Sequence, residues 1–258
     1  MDLNLQGRIA IVGGASMGIG FGIARTLAAE GAKVAMTARR EPALRAAADK
    51  LRETGLDVLP VQADCRLAED CKRVVDTVVA EWGGVDILIN NDGAPPLGKI
   101  LMLDDSAWHK AIEQNLMYVV RMVRESAPHM IKRGGGSILN IAALAAIQPN
   151  AGFALSVASW GGVIGYAKTL SIELAPSGIN VNTICPGYIE TSRLEKVFAA
   201  SAEESDRMRN ELILQVPLGR IGNVDDIASL VALLTSPRGS YITGTTIQVD
   251  GGLLKHVH

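Results

Sequence analysis

Residues 8–20 read RIAIVGGASMGIG, and this stretch decides the fold that the sequence predicts. Its first part, residues 8–13, is a short β-branched run typical of a buried strand, and apolar residues at helical spacing follow it. Gly14, Gly18 and Gly20 lie where the strand turns into the helix. Glycine there permits a tight turn and lets backbone N–H groups approach a pyrophosphate. The stretch therefore predicts a dinucleotide-binding turn, with a plain strand-to-helix turn as the alternative.

The same alternation of short strands and longer helices continues along the 258 residues. Strands are predicted at residues 8–13, 33–37, 57–61, 86–89, 137–141, 179–184 and 245–249. Helices are predicted at residues 41–53, 67–82, 105–131 and 153–174, and two more follow Pro186. This alternation implies parallel pairing through right-handed crossovers. We therefore predict an α/β fold with one Rossmann-type domain over residues 1–258, in which helices cover both faces of a doubly wound parallel sheet.

The segment of residues 191–216 differs from the rest of the chain. It is polar, carries no strand signal and follows the carboxyl end of the sixth predicted strand. Ligands of open α/β sheets bind outside the carboxyl ends of the strands, where loops line the site. We therefore predict that this segment is a substrate lid.

Composition and charge exclude several other classes of protein. Hydrophobic residues make up 48% of the chain and charged residues 20%, which suits a large buried core. The net charge of −2 gives no electrostatic reason to expect a nucleic acid or a membrane surface as partner. The 3 cysteines and 4 histidines show no metal-ligand spacing, so we predict no metal site. Residues 1–8 lack the features of a signal peptide, and we expect a cytoplasmic protein.

The second predicted strand ends in Ala38-Arg39-Arg40, without an acidic residue. Proteins that bind NAD usually place an Asp or Glu there for the ribose 2′-hydroxyl. Guanidinium groups instead pair with the 2′-phosphate of NADP, which a carboxylate would repel. This end of the strand therefore favours NADP(H) over NAD(H) as the cofactor. Two solvated arginines at the start of a helix are the alternative interpretation.

Further segments resemble the motifs of one family, in the same order along the chain. Residues 14–20 (GASMGIG) resemble the TGxxxGxG motif of the short-chain dehydrogenase/reductase family, with Gly13 where Thr is usual. Residues 90–93 (NNDG) are similar to its NNAG motif, with Asp92 in place of Ala. Residues 186–191 (PGYIET) resemble its PGxxxT segment. The likeness covers nearly the whole chain and is closest to a divergent, 3-oxoacyl-reductase-like branch of the family.

The resemblance implies a cofactor site that these segments build together. Asp64 matches the acidic residue that holds the adenine amine after the third strand. The segment after the sixth strand is the one that holds the nicotinamide amide in the family. The implied cofactor-binding residues are Gly14, Ser16, Met17, Gly18, Ile19, Gly20, Arg39, Arg40, Asp64, Asn91, Gly93, Pro186, Gly187, Ile189 and Thr191.

The positions that are catalytic in this family carry other residues here. The family has a Ser after the fifth strand and a Tyr-x-x-x-Lys motif on the next helix. Residues 161–165 (GGVIG) fix the frame and place Ala143, Ser156 and Trp160 at the Ser, Tyr and Lys positions. Asn115 matches the family's helix asparagine. In the family mechanism the Tyr phenol protonates the carbonyl oxygen of the substrate. The Lys cation lowers the pKa of this phenol. The resemblance therefore implies a degenerate active site.

Two substitutes for the missing proton donor follow from the sequence. Tyr188 lies in the segment that is expected to line the substrate pocket, and Ser156 with a water held by Asn115 is the second candidate. An ordinary pocket wall is the alternative role of Tyr188. Cys185 is a conceivable reactive thiol, for which a small buried core residue is the alternative. The candidate catalytic residues are therefore Asn115, Ser156 and Tyr188.

Three hypotheses on function follow. The first is an NADP(H)-dependent oxidoreductase that acts on a carbonyl or alcohol, of the 3-oxoacyl type by resemblance. The second is a pseudoenzyme that binds NADP(H) as a sensor or a partner subunit, and the third is a lyase or isomerase that uses the same cleft. The expected partner is a small-molecule substrate. Residues 243–254 resemble the segment through which family members form tetramers, so we also expect a homo-oligomer, a tetramer or a dimer.

Overall fold

A computed structural model describes residues 2–91, 93, 95–192, 194 and 202–255 of the chain. Its centre is a seven-stranded sheet, and each strand overlaps one that the sequence predicts. The strands are β1 (Ile9–Val12), β2 (Lys33–Ala38), β3 (Val58–Gln62), β4 (Ile87–Asn90), β5 (Gly136–Ile141), β6 (Ile179–Pro186) and β7 (Thr246–Val249).

The order of the strands sets the place of a ligand crevice. The sheet runs β3-β2-β1-β4-β5-β6-β7, and every neighbouring pair is parallel. The chain therefore builds outward in one direction from β1 and in the other direction from β4. Val12 pairs with Met36 of β2 on one side and with Ile89 of β4 on the other. At such a switch point a crevice opens outside the carboxyl ends of the strands.

Helices connect the strands, and one predicted helix is interrupted. The α-helices in the described residues are α1 (Gly18–Ala29), α2 (Glu41–Arg52), α3 (Ala68–Trp82), α4 (Asp105–Ile112), α5 (Tyr118–Lys132), α6 (Ala154–Leu174), α7 (Ala202–Gln215) and α8 (Val224–Thr235). Residues 105–131 are helical throughout, as predicted, but a π-helical turn at Glu113–Met117 separates α4 from α5 within this stretch. A π turn adds one residue to a turn, and the apolar periodicity does not reveal so small an insertion.

Helices cover both faces of the sheet, as predicted. In β1, Ala10 and Val12 face the first core cluster, to which α1, α2 and α8 contribute. Ile9 and Ile11 face the second core cluster, to which α3, α5 and α6 contribute. This alternation arises because successive side chains of a strand point to opposite faces. The prediction of a doubly wound parallel sheet is confirmed. No helix in the described part of the chain has the length and apolar character needed to cross a membrane.

Asp86 joins several elements at the amino ends of the strands, on the side of the sheet opposite the crevice. Its carboxylate is 2% exposed and accepts hydrogen bonds from Arg133 Nε at 2.8 Å and Arg133 Nη2 at 3.0 Å. It also accepts one from the backbone N–H of Ile9 at 2.9 Å. A buried charge is stable only when it is paired and hydrogen-bonded. Asp86 therefore fixes the start of β1 to the end of α5 from a position immediately before β4.

The segment predicted as a lid, residues 191–216, is described in part. α7 forms its second half, and Val216 after it is buried. Residues 193 and 195–201 of the lid prediction lie outside the described residues. The movement of this segment stays a prediction.

Candidate cofactor and active site

The start of α1 is the centre of the candidate cofactor site. α1 begins at Gly18 without a side-chain cap from Met17, and its first turn contains no acidic residue. The first turns of α2, α3, α4 and α8 contain acidic residues, whereas those of α5 and α6, like that of α1, contain none. The backbone N–H groups at a helix start carry a partial positive charge and need acceptors. The first turn of α1 therefore suits an external anion such as a pyrophosphate.

The glycines of the loop before α1 make room for Asn91 as well as for a ligand. Asn91 Nδ2 donates a 3.0 Å hydrogen bond to the carbonyl oxygen of Gly13. A methyl group would lie 2.9 Å from Asn91 Nδ2 at Gly14, and 2.6 Å from the same atom at Gly20. Both distances are shorter than real carbon contacts, so each position excludes a side chain. The structure thus brings Gly14, Gly20 and Asn91 together and gives the glycines a packing role.

The segment after β6 meets the same turn from the other side. A methyl group at Gly18 would lie 3.3 Å from Thr191 Cγ2, and Gly18 has a φ of +57°. Ser192 Oγ lies 3.6 Å from Met17 Sδ. Ile189 is buried in the first core cluster, to which α1 also contributes. These contacts place the predicted nicotinamide segment over the start of α1.

Two other predicted residues of the site are held by close neighbours. Gly187 donates its backbone N–H to the carbonyl oxygen of Val249 at 3.0 Å, and a methyl group on it would lie 2.7 Å from Asp250 Cβ. Gly93 has a φ of +41°, and a methyl group on it would lie 3.0 Å from Gln114 Cγ. The Gln114 side chain comes from the π turn, so this turn packs against Gly93. Asp92, between Asn91 and Gly93, lies outside the described residues.

At the expected adenosine end, Asp64 has an unforeseen partner. Its carboxylate accepts hydrogen bonds from Arg66 Nε at 2.8 and 3.1 Å and from Arg66 Nη2. These bonds lower the pKa of Asp64, and the Arg39 guanidinium lowers it further through its charge. Arg39 and Arg40 are both exposed. Sequence reasoning missed Arg66, although a basic residue two positions from an acidic one is a visible signal.

The Asn115 side chain forms a buried polar pair with Ser159, which the sequence analysis also missed. Asn115 Nδ2 donates a 2.8 Å hydrogen bond to Ser159 Oγ, which itself donates to the carbonyl oxygen of Leu155 at 2.7 Å. Asn115 Oδ1 has no hydrogen-bond partner among the described residues. Ser156 lies three residues before Ser159 and is 5% exposed. The structure therefore places Asn115 and Ser156 on neighbouring helical elements that the Asn115–Ser159 bond connects.

Trp160, which the sequence analysis predicts at the family's Lys position, lies in the core. Its side chain is 3% exposed and belongs to the second core cluster with Val163 and Val181. Ala143, at the family's Ser position, packs against the same cluster. The indole therefore contributes apolar surface to the second core cluster.

Tyr188 faces a separate pocket. It is half-buried, and Leu218, Arg220, Asp250 and Gly251 are among the residues that line this pocket with it. Neither Asn115 nor Ser156 is among the described residues of that lining. The structure thus does not bring Tyr188 into one pocket with the other two candidate catalytic residues.

Two weakly acidic side chains, the fully buried Cys185 and the partly buried Tyr166, have raised pKa values. Cys185 is fully buried at the end of β6, and burial raises the pKa of its thiol to about 12. Burial also raises the pKa of the Tyr166 phenol, and the charge of Glu173 adds to this effect. A raised pKa makes each group a weaker acid and a poorer source of an anion. Cys185 is therefore a buried core residue rather than a reactive thiol.

The crevice at the strand switch and the uncapped helix start above it define a Rossmann-type dinucleotide-binding protein. A profile of the family described as Enoyl-(Acyl carrier protein) reductase matches residues 14–254. The chain belongs to the short-chain dehydrogenase/reductase family.

Relatives from bacteria match the chain over nearly its whole length. It is 39% identical to the 3-oxoacyl-[acyl-carrier-protein] reductase FabG of Escherichia coli over 251 residues, which cover 97% of this chain and 99% of the relative. The FabG reductase of Vibrio cholerae is 37% identical over 251 residues, which again cover 97% of this chain and 99% of the relative.

Two solved structures of reductases have the same fold. L-sorbose reductase from Gluconobacter frateurii, complexed with NADPH and L-sorbose, superposes with a TM-score of 0.95 at 32% identity and full coverage of both chains. A single-residue variant of actinorhodin polyketide ketoreductase with NADPH has a TM-score of 0.89 at 35% identity, covering 96% of this chain and 97% of that one.

Proposed function

We propose that this protein is an NADP(H)-dependent oxidoreductase that interconverts a carbonyl and an alcohol. The observation that carries the proposal is the start of α1, where Gly14, Gly18 and Gly20 leave space and the N-cap residue Met17 supplies no side-chain hydrogen bond. An anionic cofactor is the partner that this arrangement fits. The full-length similarity to reductases supports the same assignment.

The residues present fit an NADP(H) molecule along the crevice. The N–H groups of residues 18–20 would hold its pyrophosphate, and Thr191, which packs against Gly18, would hold the nicotinamide end. Arg39 and Arg40 are exposed at the end of β2 and suit the 2′-phosphate. When bound, the nicotinamide supplies or accepts the hydride. NADP(H) rather than NAD(H) is the proposed cofactor, because the end of β2 lacks an acid and both solved relatives are complexes with NADPH.

The protein's own part in the reaction is to hold a proton near the carbonyl oxygen. Two alternative donors are proposed: Ser156 on α6, beside a water that Asn115 orients, and Tyr188 after β6, which lines its own pocket. Ala143, Ser156 and Trp160 make the site degenerate in this proposal, since Ala143 has no hydroxyl, Ser156 is a weaker acid than a tyrosine and Trp160 supplies no cation. A well-placed acid contributes about 10²–10⁴-fold to a rate. We therefore expect a slow enzyme.

A protein that binds NADP(H) without turnover is the second candidate. The burial of Trp160 in the core favours it, because the place of a charged catalytic group is filled by apolar packing. The similarity to reductases over the whole chain favours the first candidate.

Substrate and assembly belong to the same proposal. The similarity to FabG reductases supports a 3-oxoacyl-type substrate, whereas the similarity to L-sorbose reductase supports a polyol or sugar. We propose the 3-oxoacyl class, a homo-oligomer and a cytoplasmic location. Light scattering at micromolar concentration tests the assembly, and a monomer would contradict it.

The test of the proposed function is NADPH oxidation with a panel of ketones, sugars and 3-oxoacyl thioesters. The control is a variant restored to the family pattern by Ala143→Ser, Ser156→Tyr and Trp160→Lys. Turnover by the natural protein supports the reductase, and its loss in Ser156→Ala or Tyr188→Phe identifies the donor. NADPH binding with turnover only in the restored variant supports the second candidate. A product that forms without any change in nicotinamide absorbance would indicate a lyase or isomerase.

A further inference from the structure

Gly13, the last residue before the glycine loop, lies against a side chain from α5. A methyl group at this position would collide with the phenol oxygen of Tyr118, and would lie 3.1 Å from Asn91 O and 3.2 Å from Asn91 N. Gly13 is not among the glycines with a positive φ, so its backbone conformation is open to any L-residue. Space alone therefore requires a glycine here, and Tyr118 fills that space.

The π turn at Glu113–Met117 places Tyr118. This residue is the first of α5 and directly follows the turn, whose extra residue shifts the phase of the helix. Its side chain is 1% exposed and belongs to the second core cluster. A ring held on all sides in a close-packed core has little freedom to move away from a new neighbour. The phenol oxygen is therefore a fixed boundary behind Gly13.

Gly13 also joins the two strands that flank the crevice. Its N–H donates to the carbonyl oxygen of Ile89 in β4 at 2.9 Å, and its own carbonyl oxygen accepts from Asn91 Nδ2 at 3.0 Å. Asn91 in turn packs against Gly14 and Gly20 of the cofactor loop. A displacement of Gly13 would therefore also displace Asn91 and the loop before α1.

We infer that Gly13 and Tyr118 form a size-matched pair that sets the floor of the cofactor cleft, with Tyr118 as a positioning residue. Tyr118 acts through Gly13 and Asn91 rather than by touching the cofactor itself. The pair keeps the carboxyl ends of β1 and β4 at the separation that the loop needs to bind the dinucleotide. The inference rests on the proposed function, because it assumes that the cleft binds NADP(H).

The experiment is a cycle of three variants, Gly13→Ala, Tyr118→Phe and the double variant, titrated with NADPH. Adding a methyl group to a packed interior displaces its neighbours, so Gly13→Ala should weaken NADPH binding about tenfold or more. Tyr118→Phe removes the colliding oxygen, and its own Kd serves as the reference value for the double variant. In the double variant the new methyl group has room, so its Kd should return to within about threefold of that of Tyr118→Phe.

Melting temperatures separate positioning from general damage. All titrations are made well below the Tm of each variant, where a purely structural role would leave the Kd unchanged. Gly161→Ala is the control, because a methyl group there meets no described atom within 4 Å, and it should bind NADPH like the natural protein. Size-exclusion chromatography shows whether this control keeps its assembly.

Each outcome decides a different question. Absence of NADPH binding by the natural protein would contradict the proposed function, and the inference with it. If the natural protein binds NADPH but Gly13→Ala and the double variant bind it equally weakly, the inference alone is overturned. Tight NADPH binding by Gly13→Ala would overturn it as well. Should Gly13→Ala fail to fold, a folded double variant that binds NADPH supports the pair, and an unfolded one contradicts it.

Discussion

The amide of Asn115 donates a 2.8 Å hydrogen bond to the hydroxyl of Ser159, and both side chains are fully buried. Asn115 comes from the π turn between α4 and α5, whereas Ser159 lies on α6. The bond therefore connects the two helical elements that carry the candidate catalytic residues Asn115 and Ser156. It uses the amide nitrogen of Asn115 and leaves its Oδ1 without a partner among the described residues.

We predict that Ser159→Ala lowers the free energy of unfolding by about 1–3 kcal/mol. The substitution leaves the buried amide of Asn115 without its acceptor, and an unsatisfied buried donor costs about this much. Chemical denaturation measures the change. Thr77→Ala is the matched control, because the Thr77 hydroxyl also donates to a carbonyl oxygen one helical turn earlier, Arg73 O at 2.7 Å. Equal losses in the two variants would show that the bond to Asn115 contributes nothing.

We predict that Gly20→Ala abolishes tight NADPH binding. Its methyl group would lie 2.6 Å from Asn91 Nδ2 and 2.8 Å from the carbonyl oxygen of Gly13, so the loop before α1 has to move. The displaced loop would no longer present its backbone N–H groups to the pyrophosphate, so we expect the Kd to rise more than about tenfold. Isothermal titration calorimetry measures it. Gly165→Ala, at an open position on α6, should bind normally, and a normal Kd for Gly20→Ala would contradict the steric argument.

We predict that Asp86→Ala destabilises the protein by about 2–3 kcal/mol without weakening NADPH binding. The buried carboxylate accepts three hydrogen bonds from Arg133 and the Ile9 N–H, and bonds to charged groups are the stronger kind. Asp86 lies at the amino ends of the strands, whereas the crevice lies at their carboxyl ends, so the cofactor site should keep its geometry. Denaturation and NADPH titration together check both parts.

Asp76→Asn is the control for the Asp86 prediction, since it removes an exposed ion pair with Lys72 on one helix and should leave the Tm unchanged. A change in the NADPH Kd of Asp86→Ala at temperatures well below its Tm would show that the amino ends of the strands are coupled to the cofactor site at their carboxyl ends.

We predict a pH-dependent contribution to stability from Asp226 at the start of α8. Hydrogen bonds from Arg220 and from the Asn223 N–H lower the pKa of this carboxyl to about 2. Because the folded-state pKa is depressed, the contribution is fully present above the unfolded pKa of about 4 and is lost as the pH falls through about 2. Asp226→Asn should lower the Tm by about 2–4 °C at pH 7.

Thermal melts of the natural protein and of Asp226→Asn from pH 7 down to about pH 2 test this dependence. The difference in Tm should shrink below about pH 4. A difference that stays constant over this range would exclude ionisation of Asp226 as its cause.

Local patterns in the sequence were sufficient for the fold and for part of the cofactor site. Alternating runs of residues predict the strands, and the glycines at residues 14–20 predict the turn, because both depend on neighbours along the chain. Tyr118, Arg66 and Ser159 were not predicted. Each acts through a partner that a π turn, a loop or another helix brings close, and spacing along the chain does not show such contacts.

The last prediction concerns the choice between NADP(H) and NAD(H). Arg39 and Arg40 are exposed after β2, whereas the guanidinium of Arg66 is already engaged by Asp64. Of these three side chains, the first two are therefore the ones available for a 2′-phosphate. Arg39→Ala or Arg40→Ala should raise the NADPH Kd about 10- to 100-fold, the usual worth of a charge-assisted hydrogen bond, with less than about threefold change for NADH.

Fluorescence titrations with both cofactors measure this preference, and Arg66→Ala is the informative comparison. Loss of Arg66 frees the Asp64 carboxylate, which adds an unpaired negative charge near the phosphate, so NADPH binding should weaken moderately and less at high salt. If the Arg39 and Arg40 variants bind both NADPH and NADH more weakly by the same factor, neither side chain contacts the 2′-phosphate. In that case the cofactor preference of this protein would have to arise elsewhere in the cleft.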